Sequence, residues 1–140
     1  EALAREEGLS SMLTFTGSVA QDEVPAYLAA ADVAVATYHP DTGRYFSPLK
    51  LFEYLAAGLP VVAAELGEIP HCVRRGETGL LYPPGDVEAL ADSLATLIAN
   101  RERAVELGQN GREHVLRHHT WSANAQAVAA LAAKPTEQPS

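Results

Sequence analysis

The stretch from Ser47 to Ala63 constrains this chain more than any other. It reads as a helix that runs straight into a buried strand. Ser47 is suited to an N-cap, because its hydroxyl can accept a hydrogen bond from an unpaired N–H of the first turn. Pro48 then falls at the first helical position, where a missing N–H costs nothing. Leu49, Phe52 and Ala56 recur at i, i+3 and i+7, which predicts one apolar face. Gly58 predicts a left-handed C-cap, and Pro60 prevents continuation. Val61, Val62 and Ala63 form a short apolar, β-branched run, as expected of a strand covered on both faces.

Lys50 and Glu53 lie three apart, so they share a face near the start of that helix. Free N–H groups and the positive dipole end make a helix N-terminus an anion site. A cation one turn in adds attraction for phosphate, and a carboxylate slightly deeper can accept hydrogen bonds from a pair of sugar hydroxyls. Phosphate beside ribose describes a nucleotide. The alternative is a surface Lys–Glu pair worth a few tenths of a kcal/mol.

The rest of the chain supplies the setting. Glu1 to Gly8 reads as the end of a helix, so the chain is expected to be a piece of a longer protein. Met12 to Thr16 reads as a strand ended by Gly17. Gln21 to Glu23 opens a helix with Val24, Tyr27, Leu28 and Ala31 inward. Val33 to Ala36 is a second buried strand, and Thr37 to Phe46 is a loop broken by Pro40 and Gly43. Ile69 to Arg75 is expected to be a short helix, and Gly79 to Tyr82 a further strand. Asp86 should cap a long helix with Val87, Leu90, Leu94 and Leu97 inward. Helices are expected from Glu102 to His118, with Ala104, Leu107, Gly111 and Val115 inward, and from Trp121 to Ala133. Residues 134–140 are polar with two prolines, and disorder is expected there. Alternating strands and helices predict an α/β, Rossmann-like parallel sheet with helices on both faces.

Composition excludes several classes. The 140 residues suffice for one domain with a core. A net charge of −8 argues against nucleic-acid and anionic-membrane surfaces, both of which want basic patches. Cys72 is the single cysteine, so there is no intrachain disulfide and no cysteine metal cluster. No signal peptide or membrane-spanning run is visible, and a cytoplasmic setting is the default expectation. His118 and His119 end a helix, where they read as dipole compensation rather than as metal ligands.

Ser47 to Ala63 resembles the signature of retaining, family-4 glycosyltransferases of the GT-B fold. That family usually shows Glu-x7-Glu before an Ala-x-Gly-x-Pro-Val-Val turn. Glu53 matches the second Glu, whose family role is to bind the ribose of a sugar nucleotide. The first Glu falls at Tyr45, and the Gly that often sits near the diphosphate falls at Pro48. A Ser-Pro-Leu-Lys-Leu-Phe-Glu-Tyr variant occurs within the family. Thr14 to Gly17, Ala29 to Val33, Gly67 to Pro70 and Gly76 to Leu81 resemble the family's other turns, in order and at family spacing.

The resemblance implies that residues 1–133 are the donor-binding half of a GT-B enzyme, lacking the domain's own first strand and helix. The implied function is transfer of a hexosyl group from a nucleotide sugar to an unknown acceptor, with retention. No metal or other cofactor is implied. The implied site is Glu53 on ribose, with Lys50 and the Leu49 and Leu51 amides on the diphosphate. Ser47 and Tyr45 stand nearby, and Gly17, Ser18 and Val19 lie near the base. Catalytic groups and the acceptor site are expected from an amino-terminal domain, and the full-length protein is expected to be cytoplasmic or membrane-peripheral. An exposed sheet edge predicts weak self-association. Asp41 could replace the carboxylate missing at position 45, and Arg44 could meet phosphate or be a solvated loop residue. Glu65 and Glu68 could work as paired acids or as caps. Two other classes remain: a non-catalytic nucleotide-binding module, and a receiver-like signalling domain. The receiver needs a strand-end Asp, but Asp32 precedes its strand.

Overall fold

The structure is a computed structural model and describes residues 1–38 and 48–132. Three strands form a parallel sheet in the order β1 (Ala34–Ala36), β2 (Val61–Ala64), β3 (Leu80–Tyr82). Ala34 pairs with Val61, and Val62 with Leu80. The helices are α1 (Ala2–Glu6), α2 (Val24–Ala29), α3 (Leu49–Ala56), α4 (Ile69–Cys72), α5 (Val87–Ala99), α6 (Arg101–His118) and α7 (Trp121–Ala132).

Side chains of a strand alternate between faces, and β2 is buried along its whole length. Val61 and Ala63 meet Leu51 and Leu55 of α3, together with Ile69 and Val115. Val62 and Ala64 meet Leu97 of α5, together with Ala104 and Leu107 of α6. The long helix α6 therefore contributes to the cores on both sides of the sheet. It comes this close because Gly108 has no side chain: a Cβ there would collide with the Gly58 carbonyl oxygen and lie 3.2 Å from the Pro60 nitrogen. At Gly111 a Cβ would lie 2.6 Å from Leu55 Cδ2.

The expected α/β pattern is present, with local differences. Residues 12–16 do not form a strand. A 3-10 turn (Ser10–Met12) leads into extended chain that pairs with no strand among the described residues, leaving Met12 78% and Phe15 59% exposed. The backbone has strand dihedrals at Leu13 but lacks the neighbour that makes a strand. Helix α3 starts at Leu49 with Pro48 as N-cap, not at Pro48. Its buried face is Leu51 and Leu55, both 0% exposed, while Leu49 faces solvent. The α4 helix is one turn, shorter than expected. Asp86 does cap α5, accepting from the Ala89 N–H at 2.9 Å, and Leu97 is buried. Val87, expected inward, is 75% exposed, while Ala89, Leu90 and Leu94 are the residues of α5 that join Leu97 against the core. Tyr45 and Ser47 lie outside the described residues, as do His39, Asp41, Arg44 and the 134–140 tail.

Candidate functional site

Helix α3 is held from below and behind. Leu51 and Leu55, four apart, sink into the sheet core. The Arg112 guanidinium of α6 donates to the Ala56 carbonyl. Gly58, at φ +78°, turns the chain, and the Leu59 N–H donates to the Tyr54 carbonyl at 3.1 Å. With its apolar stripe fixed, the helix must present Glu53 outward.

Glu53 faces a cavity of about 460 Å³ between α3 and α2. Val24, Pro25, Leu28 and Ala29 of α2 form one wall, Gln21 stands at its end, and Ala57 completes the α3 side. This is an apolar cleft with a single carboxylate at its edge. Such a place suits a flat or puckered ring with adjacent hydroxyls better than it suits a small anion. The Glu53 charge also reaches Tyr54, whose phenol is held above its ordinary pKa by burial and then by this carboxylate.

Several expected residues converge here and others do not. Lys50 and Leu49 are exposed on the first turn of α3, on the approach to Glu53. The Leu51 N–H donates to the Pro48 carbonyl at 2.9 Å, so this amide is already used within the helix start and is not open to a phosphate. Gly17, at φ +66°, and Ser18 are exposed and Val19 is half-buried. These three precede Gln21 in the chain but do not line the cavity. Glu65 is not one of a working acid pair. It binds the Arg75 guanidinium at 2.5 Å, and Arg75 also donates to the Leu81 carbonyl at 2.8 Å. Glu68 occupies the N-cap position of α4 without a side-chain bond. Among the described residues no group of three or more His, Cys, Asp or Glu is set to hold a metal.

The family described as glycosyl transferases group 1 matches residues 1–100. The chain belongs to the group 1 glycosyl transferases. Over 130 residues it is 38% identical to a GDP-mannose-dependent alpha-(1-6)-phosphatidylinositol monomannoside mannosyltransferase of Mycobacterium tuberculosis, covering 91% of this chain and 34% of that protein. Sucrose-phosphate synthase from Thermosynechococcus elongatus superposes with a TM-score of 0.81 at 35% identity, over 94% of this chain and 32% of the other. Anabaena HepE in complex with UDP and glucose superposes at 0.79 with 25% identity, over 95% of this chain and 35% of the other. The chain thus spans about a third of the length of these relatives.

For this group 1 glycosyl transferase chain, sequence reasoning missed the α2 wall. Val24 and Leu28 carried a signal, since helical spacing set them on one face. Leu28 does pack against the core, and the same face also fronts the Glu53 cavity. Gln21 carried no signal of its own.

Proposed function

We propose that this chain is the donor-binding part of a retaining hexosyltransferase. It would hold a nucleoside diphosphate sugar while a further domain of the protein presents the acceptor. The observation that carries this reading is Glu53, one turn into α3, at the edge of an apolar cleft of about 460 Å³. A carboxylate so placed can accept two hydrogen bonds from vicinal ribose hydroxyls while the cleft wall covers the sugar face. The family membership, and the UDP and glucose in the Anabaena complex, support the same chemistry. In this reading Lys50 and the Leu49 amide attract the diphosphate, aided by the helix dipole, and Ser47 and Tyr45 border it. Gly17, Ser18 and Val19 approach the base through backbone groups. The leaving diphosphate is stabilised by these fixed donors without a metal. The phosphatidylinositol monomannoside in the name of the mycobacterial relative supports an enzyme working beside a membrane.

The test is calorimetric titration with GDP, UDP and their sugars. At least one diphosphate should bind, and Glu53→Gln should weaken it by about 1–3 kcal/mol, as for a hydrogen bond to a charged group. Equal affinity of the Gln variant would remove Glu53 from the site. Chelation with EDTA should leave nucleotide affinity unchanged.

A further inference from the structure

The end of α6 carries a cluster that the donor reading does not use. His114 and His118 lie four apart on one helix face, with ring centroids 5.1 Å apart. His119, at the C-cap, folds back so that its Nε2 lies 3.3 Å from Nε2 of His114. Its N–H donates to the Val115 carbonyl at 2.9 Å, and its ring packs on Phe52 of α3 at 4.9 Å between centroids. Two helices therefore fix the ring of His119. The sequence shows His114 four before His118, and the fold adds the approach of His119 to His114.

Imidazole nitrogens at 3.3 Å are at the long end for an N–H···N bond. They are also at the separation of two ligands on one tetrahedral ion: with metal–nitrogen bonds of about 2.0–2.1 Å, adjacent ligand nitrogens stand about 3.3 Å apart. The rings meet at 66°, so neither stacks over the other's nitrogen. We infer that His114 and His119 form a two-imidazole chelate for a divalent transition-metal ion of the zinc, nickel or copper kind.

The surroundings permit it. Arg74 and Arg117 face the cluster, but each has a carboxylate beside it, Glu77 at 3.7 Å and Glu113 at 4.0 Å. The α6 C-terminus turns its last carbonyls toward this end and favours a cation. A polar cavity of about 340 Å³, bordered by Asn110, His114 and His118 together with Arg74 and Arg117, opens the His114 side of the pair to solvent. None of its lining residues borders the Glu53 cleft. With no three-residue set among the described residues, the chelate keeps open positions for water, so its ion exchanges freely.

The experiment uses the full chain without a histidine tag, titrated with zinc or nickel against a coloured competing chelator. One equivalent should bind, and the melting temperature should climb with metal concentration, as linkage requires. His114→Ala and His119→Ala should each lower affinity at least tenfold and erase the thermal shift. His71→Ala, on α4, should change neither, and magnesium should not bind. Absence of binding by the parent, or undiminished binding by the His114→Ala/His119→Ala double variant, overturns the inference. Should an alanine variant not fold, the copper-loaded parent decides by electron paramagnetic resonance. Coupling to two or more imidazole nitrogens supports the chelate, and coupling to fewer overturns it.

Discussion

Lys50 and Cys72 show how position decides what a reactive group can do. Lys50 is exposed at the start of α3, where in the proposed site amide dipoles and an ammonium would act on the same anion. Lys50→Met should therefore cost diphosphate affinity far more than nucleoside affinity. Equal losses in paired titrations would mean that Lys50 serves only the fold. Cys72 lies 5% exposed at the end of α4, and burial, followed by the Glu68 charge, pushes its thiol up to about 11. The unfolded thiol ionises near 8.5. A raised acid pKa favours the neutral form in the folded state. Its contribution to stability is present below the unfolded pKa and fades as pH rises from there through about 11. Denaturant melts of wild type and Cys72→Ala should thus converge in pH slope below pH 8 and separate above 9. Folded protein at pH 7.5 should resist alkylation.

At the scale of elements, α6 against the Gly58–Pro60 turn is the tightest joint. Gly108→Ala adds one methyl where a carbonyl oxygen already sits. The helix must lift, and overpacking of this kind costs about 1–3 kcal/mol. A chemical melt should show that loss, and an unchanged midpoint would mean that the two elements are not pressed together. The same joint marks the boundary of what the sequence can tell. Gly58 was legible because its role is local: a left-handed residue ends the helix it follows. The Asp86 cap was legible for the same reason. Gly108 was not, because its reason lies some fifty residues away in the chain. The face of α3 was legible only in part, since Phe52 and Ala56 pack against the core but Leu49 faces solvent: Leu49, Leu51, Phe52, Leu55 and Ala56 fill more than one stripe of a short helix. Helical spacing fits two of them, and only the sheet and Gly111 choose Leu51 with Leu55. The α2 side of the site was hidden likewise, since one apolar face can serve a core or a cleft.

At the scale of the molecule, the proposed function makes this chain one wall of a two-walled reaction. Transfer needs the donor carbon and acceptor oxygen held at near-attack distance, and that positioning accounts for a large share of the rate. This chain, a third of its relatives' length, should hold nucleotide weakly and transfer no labelled sugar on its own. Turnover matching that of a full-length relative would overturn the half-site reading. The outer edge of β1 has no strand beside it among the described residues, so light scattering of the isolated chain should show concentration-dependent association. Within the chain, helix α6 joins both cores through Val115 on one side and Ala104 and Leu107 on the other, with β2 between them. Neither layer can open while the other stays shut. Amide hydrogens of β2 should therefore exchange only when the whole sheet comes apart, even while the rim of the Glu53 cleft breathes above a closed floor.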